Sequence, residues 1–304
     1  MSDTVSLEQH TGGEYEDLLS LSSDNTRRVG MDAHGQILHY NSDSTGIADT
    51  ETPGSPHQQT STSQNLPLLC QHTKVAHVQH VLFFDIDGTM LSTGGAGQRA
   101  MELALVEEFH IQFPFENMLM AGRTDRGIAD EIFGRYKLND SPEERERFML
   151  SYLERLPHAL QTLPGELLPG VSKLLNQLHR NANVHLSLLT GNYVEGAWIK
   201  LRHFGIDHFF ETGGFGDHHA LRDDVARLAI GNVREHLNQP IPDAIACVIG
   251  DTPADISGAR AINARAVAVA TGTYSFAELQ PHQPDHLFSD LSDTATVVRI
   301  LLQA

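Results

Sequence analysis

The sequence is poor in cysteine, with only Cys70 and Cys247 among its 304 residues. Two cysteines do not supply the disulfide framework on which small secreted domains depend. Cys247 lies in AIACVIGD, an apolar stretch typical of a buried strand, where a free cysteine packs as a small hydrophobic residue. We therefore expect a reducing compartment, the cytoplasm.

Long apolar segments and basic residues are also scarce. No run approaches the roughly 20 apolar residues of a membrane span, and the start MSDTVSLEQH has no basic region followed by an apolar stretch. The 21 Lys and Arg face 39 Asp and Glu, which gives a formal net charge of −18. These features argue against membrane and nucleic-acid partners. A chain this acidic can bind an anion only where a metal or a placed Arg or Lys concentrates positive charge.

Residues 1–77 differ from the rest of the chain because they show no apolar period. The stretch NSDSTGIADTETPGSPHQQTSTSQNLP is rich in Ser, Thr, Gln, Gly and Pro. Such a composition buries too little apolar surface to offset the entropy of ordering the chain. We expect a mostly disordered extension here, either with a regulatory role or preceding an internal translation start such as Met31.

From residue 80 onward, short apolar strands alternate with amphipathic helices. This alternation predicts an α/β fold with a Rossmann-like, doubly wound parallel sheet that helices cover on both faces. Between FFDIDGT and the next clear strand at 184–190, roughly 95 residues show only helical signals, which is too long for an ordinary crossover. We therefore predict an α-helical cap inserted at 92–167, with a core formed by 78–91 and 168–304.

Three of the predicted strands end in polar residues that a plain sheet does not need. The stretches are FFDIDGT, SLLTGN and VIGDTPAD, and the polar residues are Asp85, Asp87, Thr89, Thr190, Asn192, Asp251 and Asp255. Singly, each could be a tight turn or a helix start. In an open parallel sheet, however, the carboxyl ends of the strands share one edge, where ligands bind. Carboxylates brought together there repel one another unless a cation intervenes, and a set of oxygen ligands without His or Cys suits Mg²⁺.

These three motifs, in this order, resemble those of the haloacid dehalogenase-like (HAD) hydrolase superfamily. DIDGT resembles its first motif, LLTGN its second and GDTPAD its fourth, and the likeness extends over about residues 80–304. LLTGN together with GGFGDHHALRDD (213–224) resembles the phosphoglycolate phosphatase-like branch, which carries a helical cap. The resemblance implies a Mg²⁺-dependent phosphatase that hydrolyses a small phosphorylated metabolite through an aspartyl-phosphate intermediate.

The resemblance also implies a role for each motif residue. Asp85 is the nucleophile, and Asp87 is the general acid and then the general base. The Asp85 carboxylate, the backbone carbonyl of Asp87 and the Asp251 carboxylate hold Mg²⁺, and Asp255 supports the metal site. Thr190 and the backbone N–H of Gly191 bind the oxygens of the transferring phosphoryl group.

The third motif departs from the family pattern. The family places a Lys or Arg between the second and fourth motifs to neutralise the phosphoryl group, but residues 206–243 contain no Lys. Arg222 is the best match, and Arg227 and Arg234 are its competitors. Alternatively, Arg222 pairs with Asp223 or Asp224 on a solvated helix.

Several further residues have two interpretations each. Arg123, in GRTD (122–125), could contact a substrate carboxylate or second phosphate, whereas Thr124 or Asp125 could simply cap the next helix. The DHH triplet at 217–219 could bind a metal, although a surface loop is the preferred interpretation, and Trp198 is expected to pack inside the fold.

Other functions on the same core require other residues. Asp87 and Asp251 argue against a dehalogenase, and a cap that offers only Lys137 argues against a phosphonate hydrolase. A sugar phosphomutase, or a non-catalytic phosphate-binding or regulatory protein, remains an alternative.

Overall fold

The computed structural model of the chain describes residues 28–31, 37–40, 78–112, 118–242 and 245–303. Most of the predicted N-terminal extension therefore lies outside the described residues. Within it, strands β1 (Arg28–Met31) and β2 (Ile37–Tyr40) pair in antiparallel fashion, a pairing that the sequence did not predict. For the rest of 1–77, disorder stays a prediction.

The core is a six-stranded parallel sheet. The strands after β2 are β3 (His80–Phe84), β4 (Leu91–Ser92), β5 (Glu166–Leu167), β6 (Val184–Leu189), β7 (Thr212–Gly214), β8 (Ala246–Gly250), β9 (Arg265–Val269) and β10 (His286–Phe288). Their order across the sheet is β10-β9-β8-β3-β6-β7. The strand order reverses between β3 and β8, so the ligand-binding crevice of such a sheet lies at the carboxyl ends of these two strands.

Helices cover both faces of this sheet, as its apolar strands require. The α-helices of the described residues are α1 (Ala96–Phe109), α2 (Asp125–Tyr136), α3 (Pro142–Thr162), α4 (Val171–His179), α5 (Val194–His203), α6 (Arg222–Leu237), α7 (Pro253–Ala261), α8 (Phe276–Leu279) and α9 (Thr294–Leu301). In β3, Leu82 and Phe84 pack with α4, α5 and α9, whereas Val81 and Phe83 pack with α6 and α7. This alternation buries both faces of the strand, and the predicted doubly wound α/β fold is confirmed.

Helices α1, α2 and α3 form a separate layer over the sheet edge. The chain enters and leaves this layer through β4 and β5, which pair in antiparallel fashion (Leu91 with Leu167, Ser92 with Glu166). The three helices share their own apolar core, in which the Phe133 and Phe148 rings meet edge to face. We call this layer, residues 92–167, the cap.

A 3-10 turn precedes β7. The apolar stretch 208–212 (HFFET) is typical of a short strand, but Asp207–Phe209 form a 3-10 turn and β7 begins only at Thr212. Phe209 and Phe210 are both buried, although neighbouring side chains of a strand point to opposite faces. A turn places both rings against the core.

The helices that the structure describes include none with the length and apolar character that crossing a membrane requires.

Candidate active site

Three aspartates from two strand ends meet at the crevice between β3 and β8. Asp85 follows β3, Asp251 follows β8 and Asp255 lies in the first turn of α7. All three are buried, and one carboxylate oxygen from each lies within 4.8 Å of the other two. Thr89 donates a hydrogen bond of 2.8 Å to Asp251 and so fixes that carboxylate. The fold thus brings together two sequence motifs that are far apart along the chain.

Arg222 is the cation that enters this cluster. It is the first residue of α6, it is buried, and its guanidinium lies 2.6 Å from Asp85 Oδ1 and 2.5 Å from Asp255 Oδ1. It also donates to the Leu189 carbonyl at 2.8 Å. Arg227 instead pairs with Asp224 on the exposed side of α6, and Arg234 donates to the Ile241 carbonyl. Of the three arginines considered from the sequence, Arg222 contacts the aspartates.

Burial makes the ionised form of these aspartates costly. It raises the pKa of Asp85 to about 6, against the opposing effect of the Arg222 guanidinium. Burial, followed by the Asp85 and Asp255 carboxylates, raises the pKa of Asp251 well above its usual range. When all three carboxylates are ionised, the single guanidinium leaves two negative charges without a partner among the described residues. A divalent cation would balance them, and this all-oxygen set fits Mg²⁺.

Asp251 and Asp255 are held differently. Both oxygens of Asp255 are engaged, one by Arg222 and the other by the N–H and hydroxyl of Thr252, at 3.1 and 2.7 Å. Asp251 is instead approached by two glycines, Gly88 and Gly272, at which a β carbon would collide with the carboxylate. Gly88 also has φ +83°, a conformation that favours glycine. Asp251 is therefore suited to hold a metal directly, and Asp255 to orient its neighbours.

The Asp87 carboxylate lies outside this cluster and has partners of its own. Its Oδ2 accepts hydrogen bonds from Lys200 Nζ at 2.7 Å and from Asn192 Nδ2 at 2.8 Å. Lys200 Nζ also donates to Asn192 Oδ1 at 2.5 Å. Of the two first-motif aspartates, Asp85 thus faces the carboxylate cluster, and Asp87 belongs to a separate network that contains a buried ammonium.

Lys200 was not recognised from the sequence. It lies on α5, and its side chain is only 5% exposed. Its neighbours in AWIKLRHF (197–204) are those of an ordinary amphipathic helix, so no local signal marks this lysine as buried. Trp198, on the same helix, packs near the Phe215 ring, as predicted.

The loop after β6 holds Thr190 and Gly191 against the cap. Thr190 is fully buried, and its hydroxyl accepts a hydrogen bond from Asn192 Nδ2 at 2.7 Å. Gly191 accepts a backbone hydrogen bond of 2.7 Å from Asp125, and a β carbon on it would collide with the Arg123 carbonyl. Glycine at 191 therefore lets the cap approach this loop closely.

The GRTD stretch divides its contacts between cap and core. Thr124 caps α2 by accepting from the Gly127 N–H at 3.0 Å, as one interpretation predicted. Arg123 pairs with Glu131 and donates to the Gly127 carbonyl, although it also borders the cavity. Asp125 Oδ2 accepts from the Tyr193 N–H of the core at 2.8 Å. Asp125 thus ties the cap to the core.

The DHH triplet has no metal-binding neighbours among the described residues. Its Asp217 accepts a hydrogen bond of 3.0 Å from the Val194 N–H and so caps the start of α5.

A cavity of about 470 Å³ lies between the core and the cap. Every residue predicted to act in the site, except Asp255, lines it: Asp85, Asp87, Thr190, Gly191, Arg222 and Asp251. Cap residues, among them Tyr152, close its other side. A small ligand could therefore reach all of these side chains at once.

Asp125 should make folding stability depend on pH. Burial raises the pKa of this carboxyl to about 7, against the opposing effect of the Lys200 ammonium. Because the folded protein binds this proton more tightly than the unfolded chain, stability is lost as pH rises from about 4 to about 7. Asp125→Asn keeps an oxygen for the Tyr193 N–H and removes the charge. The variant should therefore gain unfolding free energy relative to the parent over this pH range, by at most about 4 kcal/mol.

Urea unfolding at pH 4.5 and pH 8, in EDTA, measures this gain. Asp207→Asn, in the 3-10 turn before β7, is the matched control and should show no comparable rise. The charged groups that face Asp125, namely Lys200, Asp87 and Asp217, are the same in all three proteins. A stability difference that stays flat or falls with pH would contradict the assignment of a raised pKa to Asp125.

Comparison with known proteins finds one matching family. The model of one family, the haloacid dehalogenase-like hydrolases, matches residues 80–263. No curated protein matches the chain significantly.

Similar solved structures include a hydrolase from Pseudomonas syringae, with 22% identity, a TM-score of 0.55 and coverage of 74% of this chain and 100% of that one. A predicted phosphoglycolate phosphatase from Haemophilus somnus 129PT has 18% identity, a TM-score of 0.56 and coverage of 73% and 98%. A predicted phosphatase from Clostridium acetobutylicum has 20% identity, a TM-score of 0.55 and coverage of 73% and 99%. At these identities the likeness shows the shared fold.

Proposed function

Because this chain belongs to the haloacid dehalogenase-like hydrolases, we propose that it is a Mg²⁺-dependent phosphatase of a small phosphorylated metabolite. The observation that carries the proposal is the buried cluster of Asp85, Asp251 and Asp255 with Arg222, beside the separately held Asp87. Phosphoryl transfer depends mainly on positioning and on neutralising charge, and this cluster supplies groups for both.

The metal would be held by the carboxylates of Asp85 and Asp251 and by the backbone carbonyl of Asp87, with Asp255 in support. When bound, Mg²⁺ supplies positive charge to the oxygens of the phosphoryl group. The two negative charges that Arg222 does not balance when all three carboxylates are ionised support this assignment.

In the first step Asp85 attacks phosphorus. A bond forms between a carboxylate oxygen of Asp85 and phosphorus, and the bond from phosphorus to the alcohol oxygen breaks. Asp87 gives its proton to that leaving oxygen, so the alcohol departs neutral and Asp85 carries the phosphoryl group. Arg222, Thr190 and the Gly191 N–H donate to the phosphoryl oxygens.

In the second step water replaces Asp85 on phosphorus. Asp87, now a carboxylate, takes a proton from the water as the water oxygen bonds to phosphorus. The bond between Asp85 and phosphorus breaks, which releases inorganic phosphate and restores both aspartates. The hydrogen bonds from Lys200 and Asn192 to Asp87 support a fixed orientation of this carboxylate during both steps.

We also propose a compact substrate and a cytoplasmic location. The cavity volume of about 470 Å³ supports a small metabolite, and the phosphoglycolate phosphatase-like motifs agree with a small alcohol as leaving group. The net charge of −18 supports the absence of nucleic-acid partners. The scarcity of cysteine supports a reducing compartment.

A panel of phosphorylated metabolites, assayed with Mg²⁺ and with EDTA, tests the proposal. We expect release of inorganic phosphate from at least one small ester, falling by roughly a hundredfold or more without the metal, because a bound metal contributes several kcal/mol of transition-state stabilisation. Transfer of phosphate to another position of the same sugar, without release, would instead indicate a mutase. Binding without any turnover would indicate a regulatory protein.

A further inference from the structure

Lys200 and Tyr152 are two buried polar side chains on the cavity wall that keep unused hydrogen-bond donors. An ammonium has three N–H donors, and Lys200 gives two of them to Asp87 and Asn192. For the third, the described part of the chain shows no acceptor. The Tyr152 hydroxyl is fully buried and has no partner among the described residues. Buried donors without partners are costly, so two of them on one cavity wall indicate a ligand.

The two groups lie against the same face of α5. A β carbon at Gly196 would lie 3.1 Å from the Tyr152 hydroxyl oxygen, so that hydroxyl rests directly on this glycine. Gly196 and Lys200 are four residues apart, which places them on neighbouring turns of one helix face. The tyrosine of cap helix α3 and the lysine of core helix α5 therefore meet at the junction of cap and core.

A small residue leaves room on the cavity side of the ammonium. Gly97, on cap helix α1, also lines the cavity, and a β carbon there would lie 3.4 Å from Lys200 Nζ. Glycine at 97 thus keeps a side chain away from the ammonium, and glycine at 196 lets the Tyr152 hydroxyl approach α5. Both Lys200 and Tyr152 line the cavity, where a group of a bound ligand can lie.

The chemistry of the unused groups favours an acceptor with more than one oxygen. Lys200 offers an N–H with a full positive charge, and Tyr152 offers an O–H. The carboxylate that directly faces the ammonium is Asp87, at 2.7 Å. The neighbouring Asp125 carries less than a full negative charge near neutrality, since burial raises its pKa to about 7. The other cations on the cavity wall are held by carboxylates, Arg123 by Glu131 and Arg222 by two aspartates. Lys200 is likewise held by Asp87, but its third N–H has no acceptor among the described residues. A carboxylate or a phosphate can accept from both donors at once.

We propose that Lys200 and Tyr152 bind a second anionic group, a carboxylate or a phosphate, on the leaving alcohol of the substrate. The inference rests on the proposed phosphatase function and names its substrate class: small phosphomonoesters that carry a further anion. Asp87, which gives its proton to the leaving oxygen, accepts a hydrogen bond from Lys200. An anionic group close to that oxygen therefore lies within reach of the ammonium. Lys200 and Tyr152 are then specificity-determining residues.

Four esters test this proposal, and the leaving group of each has two carbons. They are ethyl phosphate, 2-hydroxyethyl phosphate, carboxymethyl phosphate and ethylene glycol bisphosphate. With Mg²⁺, we expect kcat/KM for at least one anionic ester to exceed that for ethyl phosphate by about tenfold or more, since hydrogen bonds to charged groups have about that effect. The better of the two anionic esters identifies the anion as carboxylate or phosphate.

Two substitutions at the subsite and one control give the decisive comparison. Lys200→Met should reduce the preference for the anionic ester to about one, and Tyr152→Phe should reduce it severalfold. Tyr152→Phe removes only a hydroxyl that has no partner among the described residues, so the fold should be retained. Lys173→Met, the same change on the exposed side of α4, should leave the preference as in the parent.

Calorimetric binding of the same esters, in an Asp85→Asn background, separates this inference from the proposed function. If no ester is hydrolysed but the anionic ester binds more tightly and Lys200→Met removes that preference, the phosphatase proposal fails and the subsite stands. If kcat/KM of the parent for ethyl or 2-hydroxyethyl phosphate is as high as its kcat/KM for both anionic esters, the subsite proposal is overturned. A preference that survives both Lys200→Met and Tyr152→Phe overturns it equally.

Discussion

Asp85→Asn is expected to lower kcat by at least about four orders of magnitude with every phosphomonoester that the protein hydrolyses, because an amide cannot replace a carboxylate as the nucleophile. The carboxylate lies in a position that asparagine can occupy without rearrangement. Asp85 follows β3, its backbone N–H donates to the Ile249 carbonyl at 3.0 Å, and one of its carboxylate oxygens contacts Arg222. Asparagine has the same shape and offers one oxygen to the guanidinium, so the loss should be chemical and not structural.

Steady-state kinetics with Mg²⁺, together with circular dichroism and thermal unfolding, measure this effect. The variant should keep the parent's spectrum and unfold at a similar or higher temperature, since it removes a buried carboxyl group that is costly to ionise. Asp140→Asn, on the exposed side of the cap, is the matched control and should retain parental activity. Turnover by Asp85→Asn within about tenfold of the parent would exclude Asp85 as the nucleophile.

The sequence predicted the parts of the site that follow from local pattern. A buried apolar strand that ends in polar residues is visible along the chain, and the fold of a parallel sheet brings such ends to one edge. Asp85 and Asp251 could therefore be assigned to one site although 166 positions separate their numbers. The order of strands and helices likewise predicted the doubly wound core.

Residues whose placement depends on packing between distant elements were not predicted. Lys200 and Asp87 are 113 positions apart, and only the docking of α5 beside the β3 end brings them together. Tyr152 reaches the same place from the cap. No local pattern distinguishes these two from an ordinary surface lysine and an ordinary core tyrosine, since both depend on how the cap closes on the core.

Arg222 could have been separated from its competitors by helical spacing. The buried stripe of α6 includes Ala226, Ala229 and Val233, which lie four, seven and eleven positions after Arg222. These spacings place Arg222 on the face that packs against the sheet. Arg227 and Arg234, seven residues apart, share a different face. The periodicity therefore favours Arg222, a signal that motif comparison alone does not use.

Replacing this arginine should affect both stability and activity. We expect Arg222→Met to lower the unfolding free energy at pH 7, without metal, by about 3–5 kcal/mol, the usual cost of leaving buried charges without their partner. The methionine has a similar length but leaves Asp85, Asp251 and Asp255 together without a cation. Turnover should fall by at least about a hundredfold, because the phosphoryl oxygens lose a donor of full charge.

Arg227→Met and Arg234→Met are the matched controls, since they make the same change on the same helix. Arg227 lies on the exposed side and, among the described residues, pairs with Asp224, so its loss should cost less than about 0.5 kcal/mol. Urea unfolding of the three variants, with kinetics on one ester, gives the comparison. If Arg227→Met or Arg234→Met lost as much activity as Arg222→Met, Arg222 would not be the cation of the site.

A second substitution shows whether the damage in Arg222→Met is electrostatic. Asp255→Asn removes one of the two carboxylates that the guanidinium contacts, so in the double variant a large part of the lost stability should return. Added Mg²⁺ should also stabilise Arg222→Met more than it stabilises the parent, because the variant's cluster carries one more uncompensated negative charge. Simple additivity of the two substitutions, with no difference in the response to Mg²⁺, would mean that Arg222 acts by packing. Coupling between the two substitutions would instead mean that the charge of Arg222, which opposes the buried carboxylates, contributes both to the stability of the fold and to the proposed chemistry.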